Sequence, residues 1–293
     1  MEIKKIMVVG SGTMGAGIVQ VAAQAGYSVV MKLHRNMERG INMINKSLDG
    51  LIKKEKISED DKKTILSRIK LTTDWEDAKD MDFIIESIAE NFDAKKEAFE
   101  KLDSLCRPEV IFASNTSSIP ITKLATTVKR PDRFVGMHFF NPVPAMRLVE
   151  IVRGLKTSME TVEISEKLVH SMKKETVRVK DVPGFLVNRI NQALRNEAYN
   201  CLNEGVASVE DIDKAARLAL GHPMGPFEVA DMVGLDIGLE VLRGLFNSYK
   251  DVKWRPSMTL EQLVESGDLG RKTGKGWYDY TSGEKKPRTD IKF

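Results

Sequence analysis

Two stretches of this chain hold residues whose types and spacing could do chemistry. Gly10-Ser11-Gly12-Thr13-Met14-Gly15 has the spacing G-x-G-x-x-G and follows at once on residues 6–9, an apolar run without alternation. In that spacing Gly10 makes a tight turn, Gly12 lets the backbone approach a pyrophosphate, and Gly15 lets the next helix pack closely on the sheet. The N–H groups that open the helix then face the phosphates. Gly10, Gly12, Thr13, Met14 and Gly15 are therefore candidate contacts to a dinucleotide. A glycine turn in any α/β protein could match the spacing; the strand before it and the helix after it favour the cofactor.

The second stretch ends Met137-His138-Phe139-Phe140-Asn141-Pro142. An imidazole can gain and lose a proton near neutral pH, yet a single His among apolar neighbours is more often a satisfied core residue than a base. Glu150 interrupts the apolar run Leu148-Val149-Glu150-Ile151-Val152, and a buried carboxylate needs a partner. An antiparallel neighbour that sets Glu150 against His138 would satisfy the acid, orient the ring and raise its basicity. The alternative is an edge-strand Glu facing water. Asn115-Thr116-Ser117-Ser118 follows a third apolar run, at the strand end where open parallel sheets hold ligands. Asn115 is a further candidate cofactor contact there, although Ser and Asn in this position could equally cap a helix.

The elements that must position these residues alternate. Strands are expected near residues 27–31, 69–72, 82–87, 110–114, 134–139, 148–152 and 176–179. Helices are expected after the glycine turn, along the charged stretch 38–68, over 93–105 and over 158–172. The fold class is α/β: a Rossmann-type doubly wound sheet domain over residues 1–182, followed by an all-α domain over 183–293. Asp181-Val182-Pro183-Gly184 reads as the hinge, about which closure would exclude water from the site. Beyond it the strand pattern disappears, and the polar tail after Tyr280 is expected to be loose.

After the second strand a unit that binds NAD usually places an acid on the adenosine ribose. Here the residues are Lys32-Leu33-His34-Arg35-Asn36, and the first carboxylate is Glu38. A neutral residue followed by bases suits a 2′-phosphate, so Leu33, His34 and Arg35 point to a preference for NADP(H). The other possibility is a solvated basic loop beside an ordinary NAD site. Charge excludes much else: 45 bases nearly cancel 42 acids, leaving +3, which gives no reason to expect nucleic acid or another polyanion as partner. There is no apolar run of roughly 18 residues to span a membrane, no leader pattern, no zinc-ligand spacing, and no pairing motif around Cys106 and Cys201. A cytoplasmic enzyme without metal is expected.

Taken together, these motifs resemble the short-chain L-3-hydroxyacyl-CoA dehydrogenases over nearly the whole chain. The resemblance is carried by the glycine turn, Ser114-Asn115-Thr116-Ser117-Ser118, Gly136-Met137-His138-Phe139-Phe140-Asn141-Pro142, Pro183-Gly184-Phe185-Leu186-Val187-Asn188-Arg189, His222-Pro223-Met224-Gly225-Pro226 and Gly270-Arg271-Lys272-Thr273-Gly274-Lys275-Gly276. It implies hydride transfer between NAD(P) and C3 of a short acyl-CoA, with His138 as base or acid and Glu150 as its orienting partner. By the same likeness Ser117 and Asn188 donate hydrogen bonds to the reacting oxygen and the ring. Glu90, Lys95, Asn141 and Lys272 would line the cofactor, and Ser47 and Lys54 would contact coenzyme A. The helical domain would form a homodimer or a dimer of dimers. The family's usual cofactor is NAD, and its usual Asp after the second strand is replaced here by Leu33, in a segment about two residues shorter. Two other readings stay open: a related dehydrogenase of a free hydroxy acid, and a dinucleotide sensor without turnover.

Overall fold

The computed structural model describes residues 2–33, 37–288 and 290–291. The chain divides into two compact units, Met1–Val182 and Pro183–Phe293.

The first unit alternates strand and helix: β1 (Lys5–Val9), α1 (Thr13–Gln24), β2 (Ser28–Lys32), α2 (Met37–Ile52), α3 (Glu59–Ser67), β3 (Ile69–Thr72), β4 (Phe83–Glu86), α4 (Phe92–Leu105), β5 (Ile111–Ser114), α5 (Ile121–Leu124), β6 (Phe134–Phe139), β7 (Leu148–Arg153), α6 (Met159–Ser171) and β8 (Glu175–Lys180). The strands form an eight-stranded sheet in the order β3-β2-β1-β4-β5-β6-β7-β8. Neighbours from β3 to β6 run parallel, so their carboxyl ends share one edge. β7 runs antiparallel to β6, and β8 parallel to β7. The order of connection reverses between β1 and β4, the switch point where such sheets leave a crevice.

The central strands lack alternation because helices cover both faces. Every residue of β4, β5 and β6 is buried, and a continuous core joins Ile6, Val8, Ile18, Val19, Phe83, Ile85, Ile111, Val135, Met137 and Ile151. The stretch expected as one charged helical region is broken into α2 and α3. Ser58 starts the second: its hydroxyl accepts from Asp61 N, and the Asp61 carboxylate accepts from Ser58 N, a reciprocal cap that a continuous helix would forgo.

The second unit contains α7 (Val187–Asn203), α8 (Val209–Leu218), α9 (Pro226–Val233), α10 (Leu235–Tyr249) and α11 (Met258–Glu265), with a short ribbon of β9 (Tyr278–Asp279) and β10 (Lys286–Pro287). Its core packs Tyr199, Phe227 and Trp277 against Leu239, Leu242 and Leu260. Two buried carboxylates stitch chain segments together. Asp213 accepts from Phe227 N, Glu228 N and the Tyr278 hydroxyl; Asp231 accepts from Trp277 N, Tyr278 N and the Tyr280 hydroxyl. The tail after Tyr280 differs from the expectation of a loose end. It pairs in the ribbon, and Arg288 bonds Asp268, Asp290 and the Gly276 carbonyl. Polarity suggested solvent, but Lys285 and Arg288 find fixed partners. Among the described residues no helix is long and apolar enough to cross a membrane.

Candidate active site

The glycine turn joins β1 to α1 at the switch point. Gly10 has φ +124°, and a Cβ there would lie 2.3 Å from the Ser87 carbonyl oxygen, so neither its backbone conformation nor its surroundings accept a side chain. A Cβ on Gly15 would lie 2.1 Å from the Gly10 carbonyl oxygen, which is how closely the helix approaches the strand end. A Cβ on Gly12 meets nothing within 4 Å. Gly12 is also the N-cap of α1, with no side-chain cap and no acid in the first turn. The helix therefore presents N–H groups to open space without an anion of its own, and this fits a pyrophosphate. Thr13 and Met14 follow in that first turn.

Beside the turn, the ends of β4 and β5 carry a chain of buried charge. Glu86, fully buried, accepts from Lys95 Nζ at 2.6 Å and Ile88 N at 2.7 Å on one oxygen, and from the Ser114 hydroxyl at 2.6 Å on the other. Lys95 is 1% exposed and also reaches Glu90 at 3.3 Å. Glu90 Oε1 accepts from the Thr116 hydroxyl at 2.6 Å, from Ser117 N at 2.9 Å, from Ser118 N at 3.0 Å and from the Ser118 hydroxyl at 2.9 Å. Burial by itself would raise the Glu90 pKa. The Thr116 hydroxyl, the Lys95 ammonium and the Ser117 and Ser118 donors outweigh it and hold the carboxyl below the usual range. The Ser117 hydroxyl is the most distant donor to that oxygen, at 3.3 Å, and one carboxylate oxygen cannot serve five donors well.

Asn115 ties this turn to the next strand, accepting from Phe139 N at 2.9 Å and donating to the Ser87 hydroxyl at 3.2 Å. One residue earlier on β6 stands His138. Antiparallel pairing sets it opposite Glu150 on β7, and its Nδ1 lies 2.6 Å from Glu150 Oε2. The imidazole is 6% exposed and the carboxylate fully buried, while the Phe140 ring lies 4.6 Å from the imidazole, centroid to centroid. A buried carboxylate on one ring nitrogen fixes the ring plane and commits the other nitrogen to whatever lies at the sheet edge.

Residues 5–182 match the family model described as 3-hydroxyacyl-CoA dehydrogenase, NAD binding domain, and residues 184–280 match 3-hydroxyacyl-CoA dehydrogenase, C-terminal domain. The chain belongs to the 3-hydroxyacyl-CoA dehydrogenase family. It is 46% identical to a probable 3-hydroxybutyryl-CoA dehydrogenase of Bacillus subtilis, over 96% of this chain and 98% of that one. It is 44% identical to the 3-hydroxybutyryl-CoA dehydrogenase of Clostridioides difficile, over 94% and 99%. The crystal structure of the (S)-3-hydroxybutyryl-CoA dehydrogenase of Ralstonia eutropha superposes with a TM-score of 0.92 at 47% identity, covering 96% of this chain and all of that one.

Within this family member the remaining candidates fall at several places. Ser47 lies on α2, half-buried, and Lys54 is exposed just beyond that helix. Asn141 is exposed two residues past β6, before a cis bond to Pro142. In the second unit Asn188 stands in the first turn of α7, and Lys272 Nζ lies 2.6 Å from both oxygens of Asp236.

One expectation is corrected. Leu33 is 1% exposed and belongs to the apolar core, so its side chain faces inward rather than toward a ribose; it lies just past the end of β2, where its N–H still donates to the Thr72 carbonyl. His34 and Arg35 lie outside the described residues. Lys95, a candidate to line the cofactor, bonds Glu86 and Glu90. Sequence reasoning gave Glu86 and Ser114 no role in the site. The signal was available, since Glu86 closes an apolar run as anomalously as Glu150 interrupts one.

Proposed function

We propose that this chain catalyses reversible hydride transfer between a nicotinamide cofactor and C3 of a short-chain (S)-3-hydroxyacyl-CoA, interconverting 3-hydroxybutyryl-CoA and acetoacetyl-CoA. The observation that carries this reading is the buried His138–Glu150 pair, 2.6 Å apart, at the same sheet edge as the glycine turn. Its support comes also from the relatives, which are named for that substrate along nearly their full length.

The glycine turn and the first turn of α1 would hold the pyrophosphate of the cofactor, which when bound supplies or accepts the hydride. In oxidation His138 takes the hydroxyl proton at Nε2 while Nδ1 stays on Glu150; in reduction the imidazolium returns it to the oxygen. Glu150 stabilises the imidazolium in either direction because a buried carboxylate acts at short range in a medium of low dielectric. The Ser117 hydroxyl, only loosely held by Glu90, donates to the same oxygen as negative charge grows there. Asn188 is the second donor in this proposal, on the strength of the likeness alone. Ser47 and Lys54, near one end of α2, are its contacts to coenzyme A.

For the cofactor, the NAD binding domain model supports NAD(H). We infer in addition that NADP(H) is preferred: β2 ends at Lys32, Leu33 comes next, neither is an acid, and His34 and Arg35 follow. Reduction of acetoacetyl-CoA with NADH and NADPH side by side tests both levels. Turnover with either supports the reaction, and a higher kcat/KM with NADPH supports the preference. Faster turnover with NADH removes the preference and leaves the reaction. No turnover with either refutes the substrate reading, and a free 3-hydroxy acid becomes the next substrate to assay.

A further inference from the structure

Glu86 and Lys95 are both buried charged residues beside the glycine turn, and neither is among the groups assigned to the proton and hydride steps above. Taking a carboxylate and an ammonium out of water is costly, and an apolar pair of similar volume often serves stability as well. What distinguishes this pair is where it leads. Lys95 Nζ stands between Glu86 at 2.6 Å and Glu90 at 3.3 Å, so Glu86 holds the ammonium the more tightly and Glu90 receives its weaker side. The N–H groups of Ser117 and Ser118 hang on Glu90. The same Glu86 also accepts the hydroxyl of Ser114, the last residue of β5 and three before Ser117. With Asn115 bonded to Phe139 N beside His138, the turn 116–118 is pinned on both sides.

We propose that Glu86 is a positioning residue: through Lys95 and Ser114 it fixes Glu90 and the turn 116–118, and so sets the Ser117 hydroxyl relative to the strand that carries His138. Lys95 is then a strut for this turn. Neutralising Glu86 lets the ammonium move onto Glu90, and a shift of about 1 Å in a donor can cost on the order of a hundredfold in rate. The electrostatics agree, since Lys95 is among the groups that hold the Glu90 carboxyl ionised.

The test uses Glu86→Gln, Lys95→Met and the double variant, each as the whole chain. Amide hydrogen exchange at Ser117 and Ser118 is read against that of β1, together with the thermal midpoint, kcat and KM. Glu86→Gln is expected to speed exchange at Ser117 and Ser118 by about tenfold or more while β1 is unchanged, since it loosens one local unit. It should lower kcat by roughly ten- to a hundredfold, with KM for acetoacetyl-CoA within about threefold. The double variant buries no lone charge, so it should regain the thermal midpoint but neither the slow exchange nor kcat. If Glu86→Gln fails to fold, the double variant carries the exchange measurement. Unchanged exchange in Glu86→Gln overturns the proposal, as does recovery of all three readouts in the double variant, which is the mark of a merely structural pair. Only the activity arm rests on the function proposed above. A wild-type chain inert toward acetoacetyl-CoA would remove that function and leave the exchange result to stand or fall alone.

Discussion

At the scale of single residues, the site depends on how Glu150 meets His138. The carboxylate has no exposed surface, so its charge is poorly solvated and its interaction with an imidazolium is strong. Replacing it by the isosteric amide in Glu150→Gln keeps the shape and removes the stabilising charge. We expect kcat for acetoacetyl-CoA reduction to fall by about two powers of ten, the lower end of the range for a general acid or base, with circular dichroism unchanged. His138→Ala should cost at least as much. A Glu150→Gln enzyme with the wild-type kcat would show that the pair is only a satisfied element of the core. Leu33 makes the complementary point: a residue placed in a binding loop by its position in a motif can still be claimed by the core just past the strand's end.

Among the elements, the β1–α1 junction separates folding from binding with unusual clarity. Gly15 is packed against the Gly10 carbonyl, while Gly12 faces open space. Gly15→Ala must push a helix off a strand, because a Cβ 2.1 Å from backbone oxygen has no flexible partner to move. Gly12→Ala strains nothing in the chain alone. The expected outcome is a thermal midpoint near wild type for Gly12→Ala with NADH affinity reduced by about tenfold or more, roughly 1.4 kcal/mol. Gly15→Ala should lose both midpoint and affinity. Fluorescence titration of NADH with parallel melts would read this, and unchanged affinity in Gly12→Ala would mean that the pyrophosphate lies elsewhere.

For the whole molecule, stability against pH carries the imprint of buried acids. Burial pushes Asp231 up to about 6 although Trp277 N, Tyr278 N and the Tyr280 hydroxyl all donate to it. Between the ordinary carboxylate value of 3.8 and about 6, the folded chain holds a proton that the unfolded chain has released. Folding stability from this group therefore falls as pH rises through that window, by up to about 3 kcal/mol. Glu90 acts in the opposite sense, stabilising above its unfolded pKa and losing that contribution as pH falls through the lower folded value. Asp231→Asn should flatten the descent between pH 4 and 6 relative to wild type in urea unfolding, even though its NH₂ opposes a backbone donor and lowers stability throughout. An unaltered slope would show that Asp231 is ionised across the range.

Much of this was legible in the chain itself. Strand and helix follow from local period and from Gly, Pro and capping residues, so the α/β class, the glycine turn and the His138 and Glu150 strands could be read without coordinates. Such features are short-range, and each is written within about a dozen residues. What only the tertiary structure decided is long-range. The register that sets Glu150 opposite His138, the burial of Leu33 in the core, the bonds of Ser117 and Ser118 to Glu90, and the pinning of the tail by Arg288 all join segments that are separate in sequence. A charged residue looks the same in sequence whether it meets water, a ligand or another charge; only packing decides which.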